Sequence, residues 1–330
     1  HPHRTIGQSH PCERLLDAAH VRAVGQHTLA KLQKRMEHQR RILHTLASPA
    51  GFFLVYHGAC ASASKMQIDI FPLLCFNIRI KQEELFRMIF FYTNPILIAA
   101  AVIPAVFLLV HVYRADKLEK EPAPLLISLV LYGIAATFIA LLLERFGSWL
   151  LGRYFPEDST PYNVLMYFGV VAFSEEGAKY FLLKRRTWRS AAFNCQFDGV
   201  VYAVFVALGF ALWENISYVL LYGLSTALVR AVTAVPGHAC FGVFMGVWYG
   251  LAKRLHGQGK DGASKLCRVL ALLLPAFLHG CYDYIATIES VHYGWLFAAF
   301  VAILFMIAFI LVKRQSRRDR YLNNYDAEYL

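Results

Sequence analysis

Residues 170–183 read Val-Val-Ala-Phe-Ser-Glu-Glu-Gly-Ala-Lys-Tyr-Phe-Leu-Leu. This stretch belongs to an apolar run long enough to enter a membrane, yet its centre carries Glu175, Glu176 and Lys179. One charge at the centre of a bilayer costs at least about 2.5–3.5 kcal/mol on insertion scales, so three together require a reason. On a helix, Glu175 and Lys179 form a favourable i,i+4 pair, while Glu176 lies about 100° further round and can face another partner. A structural ion pair explains one carboxylate, whereas a polar site inside the membrane explains both.

The rest of the chain has the composition of a multi-pass membrane protein. Its 330 residues are 57% hydrophobic, and the mean hydropathy is +0.43. Several runs of about 20 residues are apolar on nearly all sides, unlike the helices of a soluble core. The net charge of +11 does not indicate nucleic-acid binding, because Lys and Arg cluster between the apolar runs. The sequence therefore predicts an all-α, polytopic transmembrane helix bundle.

About seven spans are predicted, and the basic residues between them set the orientation. The spans cover residues 94–113, 124–143, 163–183, 199–222, 228–252, 267–288 and 293–312. Basic residues are more frequent after the first, third, fifth and seventh spans than in the alternate connections. By the positive-inside rule, the first span enters from outside and the carboxyl-terminal tail is cytoplasmic. We expect a multi-pass protein of the cell (cytoplasmic) membrane.

The predicted domain organisation has three parts. Residues 1–87 are basic and rich in histidine, and we interpret them as an appended extension or an over-long gene start. Residues 88–312 form the membrane domain. Residues 313–330 form a basic cytoplasmic tail.

Further polar side chains interrupt the fourth and fifth spans. Glu214 and Asn215 lie deep in apolar sequence, with Phe210 one turn before the acid. His238 lies in the fifth span, directly behind Pro236-Gly237, a pair expected to kink the helix. A single histidine on an apolar helix is more often a satisfied core residue than part of a site.

The sixth span carries His279 and Asp283 on one helical face. Four residues apart, they suit a histidine whose second ring nitrogen is held by a carboxylate. With a rise of about 1.5 Å per residue, Glu175, Glu214, His238 and His279 can share one layer near the midplane. That coincidence favours a site over four unrelated polar residues.

These motifs resemble, in order and spacing, those of the PrsW family of intramembrane proteases. The similar motifs are Glu175-Glu176-x-x-Lys179, Phe210-x-x-x-Glu214-Asn215, Arg230 followed by His238, and His279-x-x-x-Asp283. The acidic loop Asp116–Pro122 and the pair Asp198-Gly199 are also similar. The resemblance covers about residues 88–312. In the related CAAX-prenyl endopeptidases the second motif typically has histidine where this chain has Glu214.

The resemblance implies hydrolysis of peptide bonds in or at the edge of the membrane by a glutamate-activated water. Glu175, or less favourably Glu176, would act as general base. His279, oriented by Asp283, would donate to the developing oxyanion. His238 and Glu214 would hold the water or protonate the leaving amine, and Lys179 would tune the Glu pair. The supporting residues are Asn215, Phe210 and Arg230.

Three alternatives remain open from the sequence. Glu175, Glu214, His238 and His279 can hold a Zn²⁺ ion with an open position for water. The lack of an HExxH motif and the neighbouring Lys179 favour a mechanism without a cofactor. The second alternative is a transporter or channel whose Glu and His residues relay protons or ions, and the third is a non-catalytic scaffold.

The expected partners are the lipid bilayer and a membrane-anchored protein substrate. The depth of the site suggests site-1-type cleavage near the outer end of a single-span protein. For the best-known members of the family, the implied target is a membrane-bound anti-sigma factor, in a regulated proteolysis. We expect no nucleic-acid partner.

Overall fold

A computed structural model describes residues 94–157, 159–288 and 291–322. The predicted extension, residues 1–87, lies outside these ranges. Within them the chain is helical and forms no sheet, which confirms the all-α prediction. The helices are α1 (Pro95–Ala115), α2 (Ala123–Leu151), α3 (Thr160–Val164), a π-helical segment (Leu165–Ala172), α4 (Phe173–Thr187), α5 (Asp198–Tyr222), α6 (Leu224–Val232), α7 (Ala234–Gly257), α8 (Asp261–Ala286) and α9 (Val291–Arg317).

Six stretches are long and apolar enough to cross a membrane: α1, α2, α5, α6 together with α7, α8, and α9 from Gly294. The predicted third span, residues 163–183, is helical throughout but is divided among α3, the π-helical segment and α4. These have 5, 8 and 15 residues, so none is long enough to cross alone. The run still packs inside the bundle, against α2 and α8. The prediction of a polytopic bundle with about seven spans is confirmed.

Helix α5 lies at the centre of the bundle and contacts α1, α2, α4, α6 and α7. Glycines allow its backbone to approach two neighbours closely. A Cβ atom at Gly209 would overlap the Val130 carbonyl of α2, and one at Gly246 of α7 would overlap Gly199. Small residues are the usual means by which membrane helices come into close contact.

We expect Gly209→Ala to destabilise the bundle and Gly262→Ala to leave it intact. At Gly209 the added methyl group meets the backbone of Val130, which cannot move aside as a flexible side chain can. At Gly262, in the first turn of α8, the methyl group meets open space. Helix propensity alone favours Ala over Gly by about 1 kcal/mol at both positions. Thermal unfolding in detergent should therefore show a lower midpoint for Gly209→Ala only, and equal midpoints would contradict the close packing.

Large apolar side chains cover the outside of the bundle. Phe107 of α1, Ile127 of α2 and Phe309 of α9 are exposed by 67%, 62% and 57%. A soluble protein rarely exposes so much contiguous apolar surface. This surface fits the hydrocarbon of a bilayer.

Two local departures from regular α-helix lie beside the polar centre. The sequence predicts a kink at Pro236-Gly237, but the helix breaks earlier, at Thr233, between α6 and α7. The reason is that a proline ring clashes with the carbonyl four residues before it, here that of Val232, and is tolerated in a first turn. The π-helical segment ends three residues before Glu175, and such segments are frequent at functional sites.

Candidate active site

Helix α4 turns its acidic pair and its lysine into the bundle. Glu175, Glu176 and Lys179 are exposed by only 4%, 0% and 1%. The Lys179 ammonium donates to Oε2 of Glu175 at 3.1 Å and to Oε1 of Glu176 at 2.8 Å. Both carboxylates therefore share one counter-ion. The predicted i,i+4 pair is present, and an i,i+3 pair accompanies it.

The same ammonium connects α4 to His238 on α7. Lys179 Nζ lies 3.2 Å from Nδ1 of His238, whose Nε2 lies 2.7 Å from Oε2 of Glu214 on α5. An ammonium group can only donate, so Nδ1 of His238 must accept. Its proton then resides on Nε2, which donates to Glu214. The contacts thus define one tautomer of His238.

Glu214 is also held by Arg230 from α6. Nη2 of Arg230 lies 3.0 Å from Oε2 of Glu214, and its Nε donates to Oδ1 of Asn215 at 3.2 Å. Asn215 in turn donates to the carbonyl of Ala101 on α1 at 2.8 Å. Arg230 thus contacts the carboxylate that faces His238, and Asn215 contacts Arg230 in turn.

His279 on α8 closes the group from the opposite side. Its Nδ1 lies 3.0 Å from Oε1 of Glu176 and 3.9 Å from Oε2 of Glu175. Its Nε2 lies 3.4 Å from Oδ2 of Asp283, one helical turn further on. The predicted pair of His279 and Asp283 is therefore present. Its distance of 3.4 Å is longer than the 3.0 Å contact between His279 and Glu176.

Aromatic rings line the group. Lys179 Nζ lies 3.9 Å from the centre of the Phe210 ring, a cation–π contact. The Phe241 ring stacks on the His279 ring at 4.7 Å. Both rings are at least 98% buried. Electrostatic interactions in such a dry surrounding are stronger than they are in water.

The group is most accessible near the helix ends that lie far from the basic connections. The side chains of Glu176 and Glu175 are exposed by 0% and 5%, whereas those of Glu214 and Asp283 are exposed by 17% and 23%. Glu214 lies about 12 Å before the end of α5 by the helical rise. Asp283 lies in the last turn of α8. The more exposed acids of the group therefore lie toward the carboxyl-terminal ends of α5 and α8, and we call this the open end of the site.

One buried acid beside the site was not predicted. Glu144 on α2 is 5% exposed and interacts electrostatically with Glu175 and Glu214. The predicted second span ended at residue 143, which placed Glu144 in the connection. Helix α2 instead continues to Leu151, so the acid lies inside the bundle. Its position after a long apolar run was the signal that could have revealed it.

The residues present include the donor types of a metal site. Glu175, Glu176, His238 and His279 each offer a ligand atom, all within 4.8 Å of one another. This set contains Glu176, whereas the sequence suggested Glu214 as the fourth ligand. However, the Lys179 ammonium lies within 3.2 Å of three of these side chains and supplies the positive charge there. A dication would have to displace that ammonium, so the residues as arranged do not fit a resident metal ion.

Comparison with known proteins decides the family. A family model described as PrsW family intramembrane metalloprotease matches residues 121–312, more than half of the chain. The chain belongs to the PrsW family. Protease PrsW of Halalkalibacterium halodurans is 31% identical over 224 residues, covering 68% of this chain and 99% of the relative. Protease PrsW of Bacillus subtilis is 31% identical over 223 residues, covering 68% and 96%. That of Geobacillus kaustophilus is 33% identical over 220 residues, covering 66% and 91%.

Membership in the PrsW family makes the chain a protease, hence a hydrolase, of the multi-pass intramembrane kind. It therefore favours the protease prediction over the transporter and the scaffold. No solved structure matches the chain. The ten predicted side chains are joined in one network by the contacts above.

Proposed function

We propose that this PrsW protease cleaves membrane-anchored proteins with a water activated by Glu175, without a metal ion. The observation that supports Glu175 as the base is the difference between the two acids. Glu176 is fully buried and has two close partners, Lys179 and His279, whereas Glu175 has one close partner and retains some exposure. A base must reach a water that can also reach the substrate, and Glu175 is the acid that satisfies this condition.

Glu176, Lys179 and His279 act together to position the reaction. Lys179 pairs with Glu176 and orients Glu175. Glu176 is fully buried and contacts Lys179 and His279, so it acts on the site through these two side chains. His279 donates to the developing oxyanion through Nε2. This nitrogen can exchange its contact with Asp283 for one with the oxyanion, because at 3.4 Å that contact is longer than the 3.0 Å contact between Nδ1 and Glu176. One such donor contributes about 2.7–4 kcal/mol to transition-state stabilisation.

His238 and Glu214 supply the proton for the leaving amine. The tautomer defined by Lys179 places a proton on Nε2 of His238, toward Glu214. When Nε2 gives this proton to the leaving amine, Nδ1 takes a proton from Lys179, and Lys179 regains one from Glu175, which has removed it from the attacking water. Arg230 keeps Glu214 in this position. Proton donation by a positioned side chain contributes about 10²–10⁴-fold in rate.

The position of the open end supports cleavage near the outer membrane face. The basic connections follow the first, third, fifth and seventh spans, so we place that end of the bundle and the carboxyl terminus in the cytoplasm, in the cell membrane. The ends of α5 and α8 then face outward, and a single-span substrate enters there. A membrane-bound anti-sigma factor is a substrate of this type, and its cleavage would be the site-1 step of regulated proteolysis.

Metal depletion tests this mechanism. The full chain, purified in detergent and treated with EDTA and 1,10-phenanthroline, is assayed on a single-span reporter, and its bound zinc is measured by elemental analysis. We expect unchanged cleavage and less than one zinc per chain, since Lys179 supplies the charge. Loss of cleavage that returns with Zn²⁺, together with one zinc per chain that disappears in His238→Ala, would establish the zinc mechanism instead.

A further inference from the structure

A second group of acidic side chains lies at the opposite end of the bundle from the open end of the site. Asp116 and Glu121 come from the connection between α1 and α2, and Asp198 begins α5. They are exposed by 1%, 5% and 1%, and each offers an oxygen within 4.8 Å of the others. Asp319, beyond the end of α9, joins Asp198 and Cys195 in an overlapping group. We call Asp116, Glu121, Asp198 and Asp319 the acidic cluster.

Several oxygens of the acidic cluster are buried without a partner. Both Oδ atoms of Asp116, Oδ1 of Asp198 and Oδ2 of Asp319 accept no hydrogen bond from any described residue. Among the described residues, no Lys or Arg lies within ion-pair distance of these acids, although the charge of Lys120 acts on Asp116 from further away. The neighbouring Lys120 donates instead to the backbone carbonyls of Tyr113 and Asp116. Buried carboxylates of this kind require a cation or a proton.

Three further oxygens of the acidic cluster are held in place by hydrogen bonds. Oδ2 of Asp198 accepts from the backbone N–H groups of Asn194 and Cys195, at 3.1 and 2.7 Å. The Tyr202 hydroxyl donates to Oε2 of Glu121 at 2.6 Å. Oδ1 of Asp319 accepts from the backbone N–H of Phe197 at 2.8 Å. One oxygen of each of these acids is thus fixed. Such outer hydrogen bonds are typical of carboxylates that bind metal ions.

We propose that the acidic cluster binds one hard divalent cation, Ca²⁺ or Mg²⁺, with Asp116, Glu121 and Asp198 as its principal ligands. These ions prefer oxygen ligands, and the acidic cluster offers carboxylate oxygens with the single sulfur of Cys195 beside them. Two oxygens on opposite sides of a Ca²⁺ ion are about 4.6–5.2 Å apart, which is compatible with the observed spacing. The site is separate from the catalytic residues and does not depend on the proposed mechanism.

The cation would fasten three segments that already meet at this end. The segment after α9 contacts the connection between α4 and α5, where Leu322 N–H donates to the Asn194 carbonyl at 2.7 Å and Gln196 N–H donates to the Arg320 carbonyl at 3.1 Å. Asn194 also donates to Glu119 of the α1–α2 connection at 3.0 Å. An ion shared by these segments would hold the ends of α1, α5 and α9 together and stabilise the folded chain.

The competing explanation is that protons neutralise the cluster. Burial raises the pKa of Asp116 to about 6 and that of Glu121 to about 7. Shared protons and a bound cation give opposite responses when one carboxylate is removed. Replacement of an acid weakens cation binding, but it relieves repulsion where only protons are present.

The test uses the full chain, purified in detergent, stripped with EDTA and titrated separately with CaCl₂, MgCl₂ and ZnCl₂. We expect Ca²⁺ or Mg²⁺ to raise the unfolding midpoint in a saturable manner, with one ion retained per chain in equilibrium dialysis. Asp116→Asn should weaken this binding by about tenfold or more. Glu157→Gln, an exposed acid between α2 and α3, should bind as the wild type does. If Asp116→Asn does not fold, Asp319→Asn, at the edge of the cluster, serves as the second variant with the same expected direction.

Four results would overturn the proposal. The first is that neither Ca²⁺ nor Mg²⁺ binds or shifts the midpoint. The second is a higher midpoint for Asp116→Asn than for the wild type, which would identify a proton-sharing cluster. The third is binding that is lost in Glu175→Gln but kept in Asp116→Asn, which would locate the ion at the catalytic residues. The fourth is a site specific for Zn²⁺ that requires Cys195. Reporter cleavage is measured in parallel, so failure of this proposal is distinguishable from failure of the proposed mechanism.

Discussion

Replacement of Glu175 by glutamine is expected to reduce cleavage of a single-span reporter by about 10²–10⁴-fold, the usual contribution of a positioned base. Glutamine has nearly the same shape and can still accept from Lys179, so the 3.1 Å contact is kept as a hydrogen bond. What it loses is the ability to take a proton from water. The rate constant for cleavage should therefore fall, while the unfolding midpoint changes little.

Two further Glu→Gln variants make this result specific. Glu157→Gln removes an exposed acid and should cleave at the wild-type rate. Glu176→Gln should lower both the rate and the midpoint, because Glu176 is the partner of both Lys179 and His279. If Glu175→Gln retains full activity and Glu176→Gln alone loses it without loss of stability, Glu176 is the base and our assignment of the pair is reversed.

Replacement of Lys179 by methionine is expected to have the largest effect on stability. Lys179 is 1% exposed and is the shared partner of Glu175, Glu176 and His238. Its removal leaves two buried carboxylates without their counter-ion, a change that costs about 3–5 kcal/mol for a buried pair. Activity should be lost as well, since neither the acids nor His238 keeps its orientation.

A double-mutant cycle separates the charge from the packing of Lys179. The double variant Lys179→Met, Glu176→Gln should be more stable than Lys179→Met alone, because one uncompensated charge is gone. Lys265→Met, at an exposed position on α8, provides the matched control and should be neutral. Unfolding is measured by titration with a denaturing detergent in mixed micelles. A Lys179→Met protein as stable as Lys265→Met would show that the ammonium is not the counter-ion of the pair.

The sequence predicts the members of the buried polar network well because charges in apolar runs are costly and therefore conspicuous. Glu175, Lys179, Glu214, His238 and His279 all interrupt such runs, and each joins the same network. Their depth could be approximated from the helical rise. Their pairing could not, since it depends on the rotation of each helix about its own axis. The two contacts of Glu176, with Lys179 and with His279, are an example.

The features that the sequence did not predict have no local signature. The π-helical segment Leu165–Ala172 is an ordinary apolar run, so its residues do not distinguish π-helical from α-helical winding. Glu144 lies one residue beyond a predicted span, so its burial depends on the true length of α2. Asp116, Glu121 and Asp319 are acids in connections, where exposure is the usual outcome. Their burial arises from long-range contacts between segments about 200 residues apart in the chain, such as the hydrogen bond from Ser316 to the Ala115 carbonyl.

The most direct measurement is a comparison of new protein amino termini in membranes from cells that produce either the wild type or Glu175→Gln. The proposed mechanism predicts termini near the outer ends of single-span proteins with the wild type, and their absence with the variant. Those termini would also name the substrates. Identical sets of termini, or termini confined to cytoplasmic segments, would contradict it.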